Sequence, residues 1–460
     1  MRTNKAVAYS APTTHEGAVA PRINAEQELR RSIAACLLWE DNFYESGQAH
    51  ADRVRSLVAQ CRPEFAAAVA FEARTKMKLR HAPLLVVREM ARLPEHKRLV
   101  GKLLCDVIQR PDELAEFLSI YWREGRQPLS AQVKKGLAAA FNKFDEYAFA
   151  KYDRAGAVKL RDALFLCHSN PTAKGSMRYT KAERKLNVPR TLNDRELLFK
   201  KLVDGQLATP DTWEVALSGG ADKRATFERL MEERKLGALA FLRNLRNMEE
   251  ANVSKMTVEN YAAGLDVARV LPFRFISAAR AVPKWEPMLE GLMLKALASA
   301  EKLAGKTAVV VDNSGSMYGA KVSAKSEIDR SDAACALAIL FREICEQVVV
   351  IGFATEAKVI APRQGFALAD AIKRGPVGGT STSVALNLAE KEGYDRIVVV
   401  TDEQSHTRIS APKSEKAYFI NVATYQNGIG YGNGWTHIDG WSEAVVEYIR
   451  EIERGSAAAA

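Results

Sequence analysis

Small oxygen-bearing residues follow an apolar stretch in the last third of the chain. Residues 307 to 311 read Thr-Ala-Val-Val-Val, and Asp312, Ser314 and Ser316 stand at alternate positions immediately after them. We expect the apolar stretch to be a buried strand, because β-branched runs are typical of strands covered on both faces. Open α/β sheets bind ligands at the carboxyl ends of their strands. Since carboxylate and hydroxyl oxygens suit a hard cation, the sequence predicts a Mg²⁺-type site here.

Two further segments carry oxygen ligands toward the same edge of the predicted sheet. Residues 397 to 401 form a second apolar run that Asp402 follows, and two glycines make a turn in front of Thr380. A single loop of this kind is more simply explained by hydroxyl groups that cap a helix after an ordinary strand. Three such loops in order along the chain favour a shared cation site. The candidate ligands are Asp312, Ser314, Ser316, Thr380 and Asp402.

These five residues resemble the D-x-S-x-S…T…D pattern of the metal-ion-dependent adhesion site (MIDAS) in von Willebrand factor A domains. The resemblance implies a divalent cation, Mg²⁺, whose place water or sodium can take. Mg²⁺ prefers octahedral oxygen ligands and keeps several waters. Because the pattern supplies few carboxylates, the cation would stay electrophilic enough to take an acidic ligand.

Strands and helices alternate from Lys306 onward. Strands are predicted at 307–311, 347–353, 396–400 and 417–422, with a short antiparallel edge strand at 356–361. Helices are predicted at 331–346, 368–373, 383–392 and 442–453. This order predicts a doubly wound α/β sheet that carries the cation site at the carboxyl ends of its strands.

Residues 25 to about 300 show helical spacing almost throughout. Val54, Leu57, Val58 and Cys61, for example, are three or four positions apart and would share one buried face. Prolines punctuate the stretch, and few runs are rich in β-branched residues. We therefore expect an all-α part built from antiparallel helical pairs, as in a HEAT-like repeat protein, although no strict sequence period is present.

The positive charge of the chain belongs to this helical part. A chain of 460 residues is long enough for two or three domains. Residues 1–300 carry a net charge of +13, whereas residues 301–460 carry −3. A large basic domain suggests a polyanionic partner such as nucleic acid. A diffuse excess of lysine is also explained by solubility alone.

Cysteine usage and hydropathy predict a cytoplasmic protein. The six cysteines are scattered without a C-x-x-C pair, which favours small buried hydrophobes over zinc ligands or disulfides. No run approaches 18 apolar residues, and residues 1–22 lack the apolar core of a secretory signal. Residues 455–460 are expected to be a disordered tail or a cloning scar.

Two enzymatic interpretations are weaker than a binding function. Ala300, Gly305, Lys306 and Thr307 fit a relaxed phosphate-loop pattern, but a phosphate loop must follow a strand and open a helix. Here we expect a helix before the pattern and a strand after it. The histidines are isolated in sequence, so no nucleophile and base are paired. We therefore expect no enzyme, and a metal-dependent nuclease is the enzymatic alternative.

Several stretches of the helical part resemble the TROVE module of the Ro autoantigen family, whose bacterial members are called Rsr. These stretches are residues 133–142, 150–154, 160–171, 239–248 and 271–274. That family joins a TROVE module to a von Willebrand factor A domain in this order. The resemblance implies a TROVE helical ring over residues 1–285 and an A domain with its adhesion site over residues 286–454.

The same resemblance implies particular RNA contacts. In the family, the helical repeats close into a ring, single-stranded 3′ ends of misfolded RNAs enter its central hole, and small Y RNAs bind the basic outer surface. By matching position, Lys151 and His168 carry the outer-surface contacts here. The family's other basic position falls on Ala155, one residue after Arg154. Without the resemblance, His168 is more simply explained as a capped core histidine.

A basic stretch between residues 170 and 190 supports an RNA partner independently. Its lysines and arginines are interleaved with Tyr179 and interrupted by Pro171, Gly175 and Pro189. Cations on such a loop can follow a phosphate backbone while the aromatic ring stacks on a base. A solvated loop with excess charge is the simpler alternative. The candidate RNA-binding residues are Lys134, Lys135, Lys151, Arg154, Lys159, Arg161, His168, Lys174, Arg178, Lys181, Arg184, Lys185 and Arg190.

The sequence therefore predicts an RNA-binding protein that acts in RNA quality control or as a scaffold for RNA-processing enzymes. Its expected partners are a Y-type RNA and misfolded RNA with a single-stranded tail, with an exoribonuclease bridged through the RNA. We expect a monomer that does not associate with membranes. The alternative is a Mg²⁺-dependent protein-adhesion module in which the helical part is only a scaffold.

Overall fold

The structure, a computed structural model of the chain, describes most residues from position 13 onward. The described ranges are 13–14, 17–20, 23–34, 47–153, 156–169, 194–268, 270–298, 300–319, 328–423, 427–440, 445–446, 448–450 and 452–453. Seven predicted RNA-binding residues lie outside these ranges, namely Arg154, Lys174, Arg178, Lys181, Arg184, Lys185 and Arg190. The tail at 455–460 lies outside them as well.

The chain forms two compact units. One, called here the helical unit, is Arg55–Ala221, and the other, called the sheet unit, combines Met1–Val54 with Asp222–Ala460. Each unit is continuous in space although the sheet unit is drawn from both ends of the chain. The predicted domain boundary between residues 285 and 286 falls within the sheet unit and stays a prediction.

Sixteen α-helices precede the sheet in the described part of the chain. In chain order they are α1 Ala25–Ala34, α2 Gly47–Gln60, α3 Pro63–Thr75, α4 His81–Met90, α5 Lys97–Val107, α6 Asp112–Tyr121, α7 Ala131–Phe141, α8 Glu146–Tyr152, α9 Leu160–Cys167, α10 Asp194–Asp204, α11 Trp213–Ser218, α12 Lys223–Glu232, α13 Ala238–Glu250, α14 Lys255–Ala263, α15 Pro272–Ala281 and α16 Glu286–Leu297. The predicted all-α part is thereby confirmed.

Local sequence signals explain where α7 begins and how closely it packs. The Ser130 hydroxyl accepts a hydrogen bond of 3.3 Å from the Val133 N–H, which caps the first turn of α7. A Cβ at Gly136 would lie 2.7 Å from the carbonyl oxygen of Gly101 in α5. Glycine therefore lets α5 and α7 approach more closely than any side chain would allow.

The sheet has six strands with one antiparallel edge. The strands are β1 Leu303–Asp312, β2 Cys345–Phe353, β3 Ala357–Val359, β4 Arg396–Thr401, β5 Lys416–Asn421 and β6 Thr436–Asp439. Their order is β3-β2-β1-β4-β5-β6, and only β3 is antiparallel to its neighbour. The helices between them are α17 Arg330–Ile344, α18 Gly365–Lys373 and α19 Thr382–Glu392. This architecture confirms the predicted doubly wound α/β fold and its short antiparallel edge strand.

Three details of the sheet differ from the prediction or extend it. β6 was not predicted, because three of its four residues are polar and a segment this short shows no clear strand pattern. β1 begins at Leu303, so Gly305 to Thr307 lie inside a strand and cannot form a phosphate loop. The predicted helix at 442–453 falls only partly within the described residues, and those described are helical.

The predicted burial of the cysteines holds for most of those described. Cys61, Cys167, Cys335 and Cys345 are buried and Cys105 is half-buried, all of them as free thiols. Burial raises the pKa of the Cys167 thiol to about 11, which keeps it protonated and unreactive near neutral pH. Of the helices within the described ranges, none combines the length and the apolar character that crossing a bilayer requires.

Candidate metal centre and nucleic-acid interface

The two predicted carboxylate ligands lie at the carboxyl ends of two neighbouring strands. Asp312 is the last residue of β1, and Asp402 follows the last residue of β4. These strands are neighbours and parallel, with Val311 opposite Val400. Asp312 is 1% exposed and Asp402 is 0% exposed. The sheet therefore holds two buried carboxyl groups at one edge, where the strand order predicts a ligand site.

Hydrogen bonds join four of the five predicted ligands into one group. The Ser316 hydroxyl donates to Oδ2 of Asp402 at 2.5 Å, and its Oγ lies 3.3 Å from Oγ of Ser314. The Ser314 N–H donates to Oδ1 of Asp312 at 2.9 Å. On the far side, the Thr401 hydroxyl donates to Oδ2 of Asp312 at 2.5 Å. Side-chain oxygens of Ser314, Ser316 and Asp402 thus lie in one hydrogen-bonded row, and the Ser314 backbone links this row to the Asp312 carboxylate.

The fifth predicted ligand, Thr380, is tied by its backbone carbonyl to the loop that follows β4, and its place in a cation site stays a prediction. Its carbonyl oxygen accepts hydrogen bonds of 3.1 Å from the Ser405 hydroxyl and from the His406 N–H. The Gly315 N–H donates to the Gly378 carbonyl at 2.9 Å, which ties the glycine turn to the first loop. Gly378 has a φ of +134°, a backbone conformation that favours glycine. The three loops are therefore cross-linked by hydrogen bonds.

Electrostatics at this edge favour a cation. Burial, with the nearby Asp402 carboxylate, raises the pKa of Asp312 to about 7. Two buried acids so close together are costly to ionise unless a positive charge compensates them. The surrounding hydroxyl groups of Ser314 and Ser316 are neutral oxygen donors. Such a set of two carboxylates and several hydroxyls fits a hard divalent cation such as Mg²⁺.

The helical unit contains an open groove lined by two of the predicted RNA-binding residues. The groove has a volume of about 470 Å³ and is lined by Trp122, Arg126, Gln127, Pro128, Leu129, Lys134, Phe165, Leu166 and His168. Lys134 comes from the first turn of α7, and His168 caps the carboxyl end of α9. The Ser169 hydroxyl donates to the Ala138 carbonyl at 3.2 Å, which holds the end of α9 against α7.

His168 is exposed and adopts a left-handed backbone conformation. Its φ is +53°, which ends α9, and its side chain faces solvent at the groove. This exposure excludes the alternative that His168 is a core histidine. An exposed imidazole can donate or accept hydrogen bonds with a ligand in the groove.

Aromatic surface and positive charge meet along the groove. The Phe165 side chain is 60% exposed, which is unusual for an apolar ring of this size. The Arg126 guanidinium lies 5.3 Å from the centroid of the Trp122 ring. With Lys134, these residues offer two cations and two aromatic rings, and the lining contains no carboxylate. Cations and exposed rings in one groove are typical of sites that hold single-stranded nucleic acid.

The other described RNA candidates lie outside the groove lining. Lys135, Lys159 and Arg161 are exposed, and Lys151 is half-buried. The ammonium of Lys151 lies 5.7 Å from the ring centroid of Tyr152, and Arg161 lies 3.7 Å from the Asp162 carboxylate. Their role in RNA binding stays a prediction.

Sequence reasoning missed Trp122, Arg126 and Phe165 as functional residues. A signal for Phe165 was present, because the buried positions of α9 are spaced at helical intervals and exclude it. The buried residues of this helix are Leu160, Ala163, Leu164 and Cys167. An aromatic residue off this stripe must face solvent or a ligand. For Trp122 and Arg126, nothing in the sequence indicates that they lie beside α9.

Comparisons with known proteins show what this chain is similar to. A family model described as the TROVE domain matches residues 200–333. Telomerase protein component 1 of Rattus norvegicus is 22% identical over 313 residues, which cover 53% of this chain and 12% of that protein. The chain thus spans about an eighth of that relative's length.

A solved structure provides a likeness over nearly the whole chain. The Ro (Rsr) protein of Deinococcus radiodurans matches 94% of this chain and 100% of its own chain with a TM-score of 0.59. The two sequences are 18% identical over this match. At this level of identity the likeness establishes the fold.

Proposed function

We propose that this chain binds RNA through the groove of its helical unit, because part of it matches the TROVE-domain model and its fold is that of a Ro protein. The observation that carries the proposal is the joint lining of this groove by Lys134, His168 and the exposed ring of Phe165. The ammonium group would contact a phosphate, and the ring would stack on an unpaired base. A groove of about 470 Å³ has room for a base and part of its backbone.

The RNA partner proposed for this surface is a small noncoding RNA of the Y type. Unpaired bases in bulges and loops are the parts of a folded RNA that a protein can stack and read. The groove is open and combines aromatic with basic groups, which suits such a bulge. We further propose, on the family resemblance alone, that single-stranded 3′ ends of misfolded RNA bind elsewhere on the chain.

The proposed metal ligands are Asp312, Ser314, Ser316, Thr380 and Asp402, and the proposed ion is Mg²⁺. A bound Mg²⁺ would supply positive charge and an open coordination position for an acidic group. The carboxylates of Asp312 and Asp402 would hold the ion, while the serine hydroxyls complete its oxygen shell. The hydrogen bonds between the three loops fix these side chains before any ion arrives.

We propose that the protein holds RNA and does not cleave it, acting in quality control or as a scaffold for an exoribonuclease. The test is a binding titration with a labelled RNA that contains a bulged stem and a single-stranded 3′ tail. The RNA should be bound and should stay at full length over hours with Mg²⁺ present. Shortening of the RNA that is lost in Asp312→Ala would show a nuclease instead.

A second candidate function, Mg²⁺-dependent protein adhesion, is favoured by the cross-linked loops at the sheet edge. A rigid rim with two buried carboxylates resembles a site built to present a cation to a partner's acidic side chain. This function predicts capture of an acidic peptide that requires Mg²⁺ and is independent of RNA. If the purified protein carries no nucleic acid and binds no RNA, adhesion becomes the primary function.

A further inference from the structure

A buried cluster of charged side chains lies directly behind the Asp402 loop. Arg31 of α1 pairs with Glu403, and neither side chain has any exposed surface. His437 lies with Nε2 2.8 Å from Oε1 of Glu403 and with Nδ1 3.5 Å from Oδ2 of Asp439. An arginine and a histidine therefore face two carboxylates, and none of the four side chains is more than 7% exposed. Such a cluster is stable only when its members stay together, because a lone buried charge is costly.

Glu403 is joined to the metal-site loop through a special backbone conformation. It directly follows Asp402 and has a φ of +62°, a left-handed conformation that is unfavourable for a residue other than glycine. Its N–H donates to Oγ1 of Thr401 at 3.0 Å. The same Thr401 hydroxyl donates to Oδ2 of Asp312 at 2.5 Å. Glu403 is therefore the direct neighbour of one metal-site carboxylate and is linked to the other by two hydrogen bonds through Thr401.

The space occupied by the Glu403 side chain is created by two glycines. A Cβ at Gly428 or at Gly430 would overlap the Glu403 carboxylate. Arg31 also donates to the Asn427 carbonyl at 3.2 Å, which fixes the guanidinium at the entrance to this space. Glu403 is thus held by close packing against two glycines as well as by charge.

The amino-terminal segment contacts the same loop at a second point. The Thr14 hydroxyl donates to the Ser405 carbonyl at 2.8 Å, and the Asn427 amide donates to the Thr13 carbonyl at 2.9 Å. Both Thr14 and Arg31 therefore hold the segment that runs from Asp402 to Ser405. These contacts lie within the sheet unit, although the residues are almost 400 positions apart in sequence.

We propose that Arg31 is a positioning residue for the metal centre. Through Glu403 it stabilises the left-handed turn that aims Asp402 at the cation and Thr401 at Asp312. Metal affinity therefore depends on a side chain from the amino-terminal helix, even though this side chain is not a ligand. The inference rests on the proposed metal site, which its test examines separately.

The test compares Arg31 with a second buried arginine. The partner of Arg31, Glu403, follows the carboxyl end of β4, and the second arginine lies at the amino end of this strand. Arg396, the first residue of this strand, is 1% exposed and pairs with Glu453. It matches Arg31 in burial and in its carboxylate partner but lies at the edge of the sheet opposite the metal site. Arg31→Met and Arg396→Met should both lower the unfolding temperature. Arg31→Lys provides a milder change, because it keeps the charge but loses the second hydrogen-bonding nitrogen.

Two measurements on the full chain separate positioning from general stability. The first is the Mg²⁺ dissociation constant by isothermal titration calorimetry, and the second is amide hydrogen exchange over residues 402–405. Arg31→Met should raise the dissociation constant at least tenfold and accelerate exchange, with a smaller effect in Arg31→Lys. Arg396→Met should change the dissociation constant less than twofold and leave the exchange of these amides as in the wild type.

The outcomes distinguish failure of this inference from failure of the metal site. Unchanged Mg²⁺ affinity in folded Arg31 variants, or an equal loss in Arg396→Met, would overturn the positioning role. Absence of Mg²⁺ binding by the wild type would reject the metal site itself. In that case hydrogen exchange still tests whether Arg31 holds the loop at residues 402–405. If these amides exchange no faster in the Arg31 variants, Arg31 does not hold the loop.

Discussion

Ser316 and Asp402 are 86 positions apart in sequence, yet the serine hydroxyl donates a 2.5 Å hydrogen bond to the aspartate Oδ2. This bond joins the loop after β1 to the loop after β4. It places a neutral oxygen beside a buried carboxylate, in the arrangement that a divalent cation would share. The strand order of the sheet therefore brings these two proposed metal ligands together.

Mg²⁺ should stabilise the folded protein, and Asp312→Asn should abolish this effect. A ligand that binds only the folded state at a hundred times its dissociation constant stabilises it by about 2.7 kcal/mol. The variant removes one of two carboxylates and with it most of the attraction for the ion. Thermal unfolding at increasing Mg²⁺ concentrations measures the effect. Asp395→Asn, near the opposite end of β4, should keep the wild-type response, and a Mg²⁺ response in Asp312→Asn would contradict the assigned ligand.

Phe165→Ala should weaken RNA binding by removing a stacking surface. Stacking of a base on an aromatic side chain contributes about 1–3 kcal/mol, so affinity should fall between about fivefold and 150-fold. Because Phe165 is 60% exposed, its removal should leave the unfolding temperature nearly unchanged. Fluorescence anisotropy with a bulged RNA stem measures the affinity.

The matched control for this prediction is Phe71→Ala. Phe71 is a 46% exposed phenylalanine of the same helical unit that does not line the groove. Its removal should leave RNA affinity within twofold of the wild type. Equal losses in both variants would mean that exposed apolar surface in general, and not the groove, contributes to binding.

The salt dependence of RNA binding should fall in Lys134→Ala. Each phosphate contact releases condensed counterions, and its loss lowers the slope of log affinity against log salt by about 0.7 to 0.9. Lys134 lines the groove, whereas Lys102 of α5 is exposed elsewhere and pairs with Asp106 at 2.7 Å. Lys102→Ala should therefore leave the slope unchanged. A slope that is identical in the wild type and Lys134→Ala would exclude a phosphate contact at this position.

The placement of Asp312 and Asp402 at the ends of neighbouring strands illustrates what the sequence can predict. Asp312 and Asp402 each follow an apolar run, and the doubly wound order alone implies that their strands end at one edge. The sequence also predicted a short antiparallel edge strand at 356–361, and the structure has it as β3. The predicted resemblance to the Ro family is likewise confirmed, because a TROVE-domain model matches residues 200–333 and the fold matches that of a Ro protein.

The features that sequence reasoning missed depend on contacts between distant segments. Arg31 in α1 gives no local sign that it pairs with Glu403. In the short strand β6, His437 and Asp439 lie among partners from distant segments that the local sequence does not indicate. Trp122 and Phe165 meet only because α6 and α9 pack together in the helical unit. Local periodicity reports which face of an element is buried, but it does not report which element covers that face.

The stability of the sheet unit should fall between about pH 6.5 and pH 9 because His437 loses its proton. Burial acts to lower the pKa of His437, but the carboxylates of Asp439 and Glu403 outweigh burial and raise the pKa to about 9. A histidine whose pKa is higher in the folded state stabilises the protein fully below its ordinary value of 6.5. This contribution, about 3 kcal/mol, is lost as the pH rises through the pKa of the folded state.

NMR titration of the His437 ring measures its pKa, and chemical denaturation at several pH values measures the free energy of unfolding. His437→Gln should be less stable at pH 6 and should lose the decline with pH, whereas His406→Gln, at an exposed position of the same unit, should retain it. A His437 pKa near 6.5, or equal declines in the wild type and His437→Gln, would show that this cluster holds a neutral imidazole.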